Sequence, residues 1–254
     1  MKKNKYPILE YDPSRKTILD PGRFYKKGTL PENCVICFFK DELDALKRAG
    51  KLKQISHLAS EMGKLPIYEL KFKKKRVAVF PSGVGAPLAA GLMDELIALG
   101  CEKFIACGGA GVLRKDLAVG KIVSPTSAVR DEGTSYHYLP PSREVKANSA
   151  AVKAIRKVLD KHGIGYITGK TWTTDAFYRE TLSKIKARKA EGCLTVEMEA
   201  AAFFAVAKYR KVVFGQMLYS GDDCSGISWD HRGWNRHSVR ERLFWLACEA
   251  CISL

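Results

Sequence analysis

No apolar run in this sequence approaches the roughly 20 residues that a membrane-spanning helix needs. The basic N-terminal residues, from Met1 to Pro7, are not followed by the apolar segment that a signal peptide contains. The sequence also has no internal repeat and no linker-like stretch. These absences predict a cytoplasmic protein that does not associate with membranes.

Acidic residues are scarce relative to basic ones: 27 Asp and Glu stand against 43 Lys and Arg, for a formal net charge of +16. Such an excess is typical of nucleic-acid-binding proteins. The densest basic cluster, from Lys71 to Arg76, lies between two candidate strands and is interpreted as a turn. Elsewhere the basic residues have the spacing of exposed helix faces. We therefore expect no nucleic-acid partner, and the charge remains available for long-range attraction of anionic substrates.

The eight cysteines are not arranged as a disulfide framework. Cys34, Cys37 and Cys107 lie in apolar runs, where free cysteine behaves as a small buried hydrophobe and a reducing compartment is the default. Cys34/Cys37 and Cys248/Cys251 share C-x-x-C spacing, which leaves a zinc site as an alternative. Structural zinc pairs normally sit on turns, whereas these pairs fall in a candidate strand and a candidate helix. We expect no bound metal.

The 254 residues suit one α/β domain spanning 1–254, with an irregular, proline-containing lead-in over residues 1–30. Beyond the lead-in, apolar runs and amphipathic segments alternate with short connections, which predicts a mainly parallel or mixed sheet. Strands are predicted over 34–39, 66–72, 76–80, 103–107, 120–127, 166–173 and 212–219, with a short strand at Thr195. Helices are predicted over 41–49, 87–99, 149–162, 181–190, 197–209 and 238–252.

Two carboxylates, Glu197 and Glu199, lie within the run from Thr195 to Phe203, which otherwise has the composition of a buried helix. A buried ionised group costs several kcal/mol unless something pairs with it. The two adjacent hydroxyls of a ribose would suit, because one carboxylate can accept a hydrogen bond from each. The alternative is structural, since the helix dipole by itself favours acidic residues near a helix start.

Two glycine-rich segments follow candidate strands, and ligands of open α/β sheets gather at such strand ends. In the segment 82–87, glycines allow a sharp turn, and the backbone N–H groups of the following helix start favour an anion. In the segment 108–111, small residues indicate a close backbone approach by a ligand or by a neighbouring strand. Each segment alone is also explained by a tight turn or by close packing.

Two further segments after candidate strands carry aromatic and acidic side chains. In the segment 173–180, Phe177 and Tyr178 can stack on a planar base, or one of them can pack in the core. In the segment 219–226, Asp222 and Asp223 are candidates for acid–base chemistry, and the alternative is turn formation. Repulsion between neighbouring carboxylates can raise the pKa of one of them, which favours a proton donor.

Together, and in this order, these segments resemble the nucleoside phosphorylase/uridine phosphorylase family over about residues 33–250. The resemblance rests on Gly83-Val84-Gly85-Ala86-Pro87, the glycine run 108–111, the segments 129–135 and 174–178, Val196-Glu197-Met198-Glu199-Ala200-Ala201, and Ser220 with the two aspartates. It implies a single-domain three-layer α/β/α fold with a central mixed, partly barrel-like sheet. It also implies a homo-oligomer, either a dimer or a trimer of dimers.

The resemblance implies a pentosyltransferase that cleaves the N-glycosidic bond of a nucleoside with inorganic phosphate as co-substrate and without a cofactor. By position, Glu199 matches the carboxylate that binds the ribose hydroxyls, and Met198 matches the residue that packs against the sugar. Phe177 matches the residue that stacks on the base, and its neighbours Tyr178 and Arg179 are assigned to the base as well. Asp222 or Asp223 stands where purine-specific relatives carry the acid that protonates the base.

The phosphate site implied by the resemblance includes Gly85, Gly109 and Arg130. The sequence departs from the family at other phosphate positions. Phe38-Phe39-Lys40-Asp41-Glu42 replaces a Gly-Asp-Pro-x-x-Arg-like loop, Ala106 stands where an arginine is common, and Gly109 replaces a hydroxyl residue. Lys40, Arg130, Arg179 or a cation from a neighbouring subunit can substitute.

Thr181 stands where uridine-specific relatives have a glutamine, which argues against a uridine-specific enzyme. Three functions therefore stay open. The first is a nucleoside phosphorylase. The second is a nucleoside hydrolase that uses water on the same fold. The third is a catalytically silent member that binds nucleosides.

Overall fold

The computed structural model describes residues 3–61, 63–233 and 237–254, in which strands and helices alternate along most of the chain. The strands are β1 (Asn33–Cys37), β2 (Lys53–Ser60), β3 (Gly63–Phe72), β4 (Lys75–Pro81), β5 (Lys103–Val112), β6 (Ile122–Asp131), β7 (Glu144–Lys146), β8 (Tyr166–Thr174), β9 (Cys193–Glu197) and β10 (Val213–Asp223). The helices are α1 (Lys40–Arg48), α2 (Ala86–Leu99), α3 (Ser135–Tyr138), α4 (Ser149–Lys161), α5 (Leu182–Ala190), α6 (Ala200–Arg210) and α7 (His237–Ile252).

The strands form one mixed sheet in the order β10-β6-β8-β9-β5-β1-β4-β3-β2, with β7 paired to β6. An additional pairing between β10 and β5 closes the strands β10, β6, β8, β9 and β5 into a five-stranded barrel. Parallel pairs predominate around β1, β5 and β8, whereas β2 and β3 extend the sheet by antiparallel hairpins. The predicted mixed, partly barrel-like sheet is confirmed.

Helices cover both faces of the sheet, which makes the three-layer arrangement that the sequence predicted. Successive side chains of a strand point to opposite faces. In β1, Cys34 and Ile36 pack with helices α2 and α6, whereas Val35 and Cys37 pack with α1, α4 and α7. A strand buried on both faces has a continuous apolar sequence, as β1 does.

Several elements differ from the sequence prediction. Strands β5 and β10 extend to Val112 and Asp223, so the glycine run 108–111 and the two aspartates lie within strands, and β7 and α3 were not predicted. Strand β2 was not predicted, because it lies at the sheet edge with Leu58 as its one fully buried side chain and so lacks a regular apolar alternation. The helix predicted from Glu197 begins at Ala200, and Glu197 is the last residue of strand β9. Backbone pairing of Glu197 with Thr173 of β8 extends the strand up to that residue.

The basic segment from Lys71 to Arg76 forms the β3–β4 hairpin, as predicted. Lys73 and Lys74 at its tip have positive φ angles of 47° and 64°. Lys73 lies 2.8 Å from a Glu249 carboxylate oxygen, and Arg76 pairs with Glu69 at 2.6 Å. Part of this positive charge is therefore paired within the fold. None of the helices that the structure describes is long and apolar enough to span a bilayer.

The described cysteines are free thiols, and seven of the eight are buried. Cys34 and Cys37 lie on opposite faces of β1. The Cys34 thiol lies beside those of Cys101 and Cys251, and the Cys107 thiol lies beside those of Cys37 and Cys248. Burial raises the pKa of the Cys34 and Cys107 thiols well above the ordinary value, so these side chains are protonated and act as apolar packing.

Candidate active site

A cavity of about 320 Å³ opens at the ends of strands β1, β5, β9 and β10, where ligands of α/β sheets commonly bind. All four segments that the sequence analysis singled out contribute to it. Their contributions are Val84 from the segment 82–87, the glycine run 108–111, Phe177 from the segment 173–180, and Asp222 from the segment 219–226. The remaining walls come from Phe38, Phe39, Glu180, Val196, Glu197, Met198, Glu199, Gln216, Leu218, Cys224 and Arg240.

The junction between β9 and α6 places Glu197 and Glu199 side by side. One Glu197 oxygen accepts the backbone N–H groups of Glu199 and Ala200 at 2.8 and 2.7 Å, and the other accepts the Thr173 hydroxyl at 2.6 Å. The Thr173 oxygen in turn accepts the N–H of Ala201 at 3.0 Å. Glu197 therefore satisfies the N-terminal N–H groups of helix α6, which otherwise lack partners. This is the structural role that the sequence left open for it.

Glu199 has fewer protein partners. One of its oxygens accepts the backbone N–H of Gly85 at 2.6 Å, and the other accepts the N–H of Met198 at 3.3 Å. Gly85 has φ +99° at the residue before α2, in a region that favours glycine, so the turn after β4 holds its N–H toward Glu199. An ionised carboxylate has about four acceptor positions. Glu199, 6% exposed at the cavity wall, retains positions for a ligand.

The two carboxyls raise each other's cost of ionisation. Burial is the main cause that raises the pKa of Glu197 well above the ordinary carboxyl range, and the nearby Glu199 charge adds to it. Burial likewise raises the pKa of Glu199, while the N–H groups of Gly85 and Met198 oppose the shift. A ligand hydroxyl that donates to Glu199 supplies the hydrogen bond that water no longer provides at this depth.

Of the residues predicted to contact sugar and base, Met198 and Phe177 line the cavity. Phe177 is 48% exposed, and its ring centroid lies 4.0 Å from that of Tyr178. Tyr178 is 89% exposed and lines the adjoining space beyond Phe177. Arg179 is exposed and lines neither space. The structure therefore brings Met198, Phe177 and Tyr178 together and leaves Arg179 apart.

The two aspartates that end strand β10 have different surroundings. Asp222 lines the cavity, and its Oδ2 accepts the Trp229 indole N–H at 2.7 Å and the Cys224 thiol at 3.5 Å. Asp223 does not line the cavity, and its Oδ1 accepts the backbone N–H of Ser225 at 2.7 Å. Partial burial opposes ionisation of Asp223, but this hydrogen bond holds the pKa of its carboxyl below the usual value. Asp222 therefore lines the cavity, whereas the Asp223 carboxylate is engaged by the backbone of Ser225.

The residues predicted to bind phosphate are dispersed. Gly109 lines the cavity, whereas the Gly85 N–H is already used by Glu199. Arg130 lies outside the cavity lining, and its guanidinium donates to Ser135 and to residues of the segment 139–142, which it holds against β6. Lys40 likewise is not part of the lining, and its ammonium pairs with Asp44.

The sequence analysis missed three polar residues of the cavity wall. Arg240 of α7 is the cation among the described lining residues; it pairs with Asp41 at 2.8 Å and donates to the Tyr219 hydroxyl at 3.3 Å. Gln216 of β10 is buried in parallel register with Ala106, and its side-chain oxygen has no hydrogen-bond partner among the residues that the structure describes. Glu180 ends the 3₁₀ turn after β8. Because Arg240 lies almost 200 positions after Asp41, no local signal pointed to it.

Glu180 differs from the exposed acids of the surface. Burial, and then the nearby Asp222 charge, raise the pKa of its carboxyl to about 7. Its hydrogen bond with the Cys224 thiol and the positive charge of Lys184 oppose that shift. Within residues 3–61, 63–233 and 237–254, no group of histidine, cysteine or acidic side chains is arranged to hold a metal ion.

These features define an α/β protein with a small-molecule site, built from a buried carboxylate, an aromatic wall and an acid at the strand ends. Comparison with known proteins identifies the family: the model of the phosphorylase superfamily matches residues 32–250. The chain belongs to the phosphorylase superfamily, and its relatives support an enzyme of the nucleoside phosphorylase type.

Two curated relatives show the degree of sequence similarity. Guanosine phosphorylase of Halorubrum lacusprofundi is 29% identical over 188 residues, which is 74% of this chain and 77% of the relative. Uridine phosphorylase of Treponema pallidum is 31% identical over 153 residues, which is 56% of this chain and 59% of the relative.

Solved structures share the fold. Uridine phosphorylase from Vibrio fischeri ES114 superposes with a TM-score of 0.75 at 19% identity, covering 96% of this chain and 100% of that chain. AMP nucleosidase from Bacteroides thetaiotaomicron VPI-5482 superposes with a TM-score of 0.70 at 22% identity, covering 87% of each chain. At these identities the superpositions establish the three-layer fold.

Proposed function

We propose that this protein cleaves the N-glycosidic bond of a nucleoside and transfers the ribosyl group to phosphate. The observation that carries the proposal is Glu199, a buried carboxylate at the cavity wall with acceptor positions left for two ligand hydroxyls. The 2′ and 3′ hydroxyls of a ribose are adjacent donors of this kind. The relatives that are named phosphorylases support the same conclusion.

The bond changes assign roles to the other residues. As the C1′–N bond breaks, the base leaves with the electron pair, and Asp222 supplies the proton that a base nitrogen gains. A phosphate oxygen forms the new bond to C1′, which gives ribose 1-phosphate. Met198 packs against the sugar, and Phe177 stacks on the base. Arg240 supplies positive charge for the phosphate on the side of the cavity formed by Phe39 and Gly109.

Hydrolysis is the second candidate, and the lining of the cavity favours it in one respect. Arg240 is the cation of the described lining, and Asp41 already pairs with it. The buried Gln216 amide lies beside Ala106 and is uncharged. A neutral nucleophile such as water needs less positive charge than a phosphate ion does.

Release of free base from a panel of purine and pyrimidine nucleosides, with and without phosphate, tests the proposal. We expect base release that requires phosphate, with equimolar ribose 1-phosphate. Unchanged release in phosphate-free buffer would establish hydrolysis instead. Thermal stabilisation by a nucleoside without turnover would indicate a silent binding protein. Where acidic side chains of the cavity are replaced, a Glu102→Gln variant, changed at an exposed ion pair with Lys27, controls for the loss of one acidic charge.

We also expect a homo-oligomer, either a dimer or a trimer of dimers, and a cytoplasmic location. The basis is the resemblance to the family, whose members assemble in these ways. Size-exclusion chromatography with light scattering tests the assembly, and a monomeric mass at micromolar concentration would contradict it.

A further inference from the structure

Beyond Phe177 the active-site cavity continues into a second space of about 760 Å³, which we call the outer chamber. Phe177, Glu180, Asp222 and Cys224 line both spaces, so the two are contiguous. With a ribose held at Glu199, a base that stacks on Phe177 extends toward the outer chamber. The polar groups at this boundary therefore face the edge of the base.

The outer chamber has apolar walls. Its lining includes Tyr178, Leu182, Ile185, Ile227 and Trp229, and several of these side chains are strongly exposed. The Trp229 ring is held by the hydrogen bond from its indole N–H to Asp222. Flat apolar walls of this kind suit a planar heteroaromatic ring and leave its hydrogen-bonding edge to be matched by the few polar groups present.

The polar groups at the boundary are mainly hydrogen-bond acceptors. Glu180 and Asp222 both contribute carboxyl groups, and the described lining of the outer chamber contains no lysine, arginine or histidine. Asp222 Oδ2 already accepts two donors, from Trp229 and Cys224. The Cys224 thiol, a weak donor with a single proton, lies next to both Asp222 and Glu180, so the Glu180 carboxyl keeps acceptor capacity.

We propose that Glu180 selects the base and that the preferred substrates are nucleosides whose base carries an exocyclic amino group. The inference rests on the proposed function and adds the substrate class to it. An amino group donates hydrogen bonds to the Glu180 carboxylate. Where a carbonyl oxygen takes the place of the amino group, as O4 of uracil does for the amino group of cytosine, acceptor opposes acceptor, and the half-buried carboxylate loses hydration without gaining a partner at that position.

The protonation state of Glu180 sets the conditions for the test. With a pKa of about 7, the carboxyl is mostly ionised at pH 8 and mostly protonated at pH 6. The charged and titratable groups that act on it are Asp222, Cys224 and Lys184. A protonated Glu180 can donate to a carbonyl, so we expect the preference for amino-bearing bases to be largest at pH 8 and to shrink at pH 6.

The experiment compares pairs of compounds that differ in an amino group. For kcat/KM, the pairs are guanosine with inosine and cytidine with uridine. For calorimetric binding of the free base, the pairs are adenine with hypoxanthine and cytosine with uracil. In the wild-type protein at pH 8 we expect the amino-bearing member to be favoured by ~10-fold or more, the value of one charge-assisted hydrogen bond. Glu180→Leu should bring the ratio within about threefold of one, and Glu180→Gln should give an intermediate ratio.

The Glu102→Gln variant should keep the wild-type ratio. A wild-type ratio near one, or a ratio that Glu180→Leu leaves unchanged, would overturn the role of Glu180 even if nucleosides are cleaved. Selective base binding without cleavage would retain that role and contradict the proposed reaction. Absence of both binding and cleavage would overturn both proposals.

Discussion

Replacing Glu199 with glutamine separates the ribose-binding role of this residue from its role in folding. The side chain keeps its shape, and the amide oxygen can still accept the Gly85 N–H that lies 2.6 Å from the carboxylate. The amide NH₂ then faces the cavity in place of a charged acceptor. The turn after β4 keeps its partner while the ribose loses its acceptor.

The magnitude follows from the bonds that are lost. Two hydroxyl donors to a carboxylate contribute about 1.5–3 kcal/mol each, and amide N–H groups that donate to the hydroxyl oxygens recover about 1 kcal/mol each. The net loss of about 1–4 kcal/mol predicts a decrease in kcat/KM of ~5- to 900-fold. The discrimination between a ribonucleoside and its 2′-deoxy analogue should also decrease, because the acceptor of the 2′ hydroxyl is gone.

The thermal stability of Glu199→Gln should increase at high pH, although its activity decreases. Glu199 has a pKa raised above that of an unfolded chain, so ionisation is less favourable in the folded state, and its contribution to stability falls as pH rises through the raised pKa. Glutamine removes this loss and also the repulsion of Glu197. We expect the melting temperature of Glu199→Gln to equal that of the wild type at pH 5 and to exceed it at pH 8.

Steady-state kinetics on ribo- and deoxyribonucleosides and thermal unfolding at the two pH values provide the measurements. Near-normal kcat/KM in the folded Glu199→Gln protein would refute ribose binding by Glu199. The quantity to compare is the melting temperature of Glu199→Gln minus that of the wild type. If this difference is smaller at pH 8 than at pH 5, the electrostatic reasoning is refuted. Asp223→Asn, a neighbouring loss of charge outside the cavity lining, serves as the kinetic control.

Three further predictions follow from the site. In kinetic assays, Asp222→Asn should lower kcat by ~100-fold or more, whereas Asp223→Asn should leave kcat within about threefold of the wild-type value. Equal effects of the two substitutions would favour the turn-forming interpretation for both residues. Glu197→Ala should lower the free energy of unfolding by about 2–4 kcal/mol in denaturant titrations, because two helix N–H groups lose their acceptor. A decrease under about 0.5 kcal/mol would contradict that role. Arg240→Gln should raise the KM for phosphate by ~10-fold or more at constant nucleoside KM, and an unchanged phosphate KM would exclude Arg240 from the anion site.

The alternation of apolar runs and amphipathic helices predicted the α/β class and the mixed sheet correctly, because both signals come from neighbours along the chain. The edge strand β2 has mostly exposed side chains, so its pairing with β3 left no such signal. The helix start at Ala200 was displaced by three residues for a different reason. The cap is the Glu197 side chain, which strand pairing with β8 holds in place.

Local spacing also could not separate Asp222 from Asp223. They are adjacent acids at the end of β10, and only the fold distinguishes them. Asp222 accepts the Trp229 indole N–H, whereas Asp223 accepts the Ser225 N–H. Glu180 directly follows the predicted base-binding residues 177–179. This position in the sequence was the available signal. Its proximity to Asp222 and Cys224 required the barrel strands to bring the β8 and β10 ends together.

By itself, the sequence determined the α/β layering, the strand-end location of the site and the candidacy of Glu199, because hydrophobic periodicity and strand-to-helix turns are local properties of the chain. Only the tertiary structure decided which charges meet there. Closure of the barrel placed Glu180 beside Asp222, and packing of α7 brought Arg240 to the cavity. The Arg130 guanidinium donates hydrogen bonds to Ser135, Pro140 and Ser142 and does not line the cavity. Electrostatic interactions act through space, so their partners are set by the fold and not by spacing along the chain.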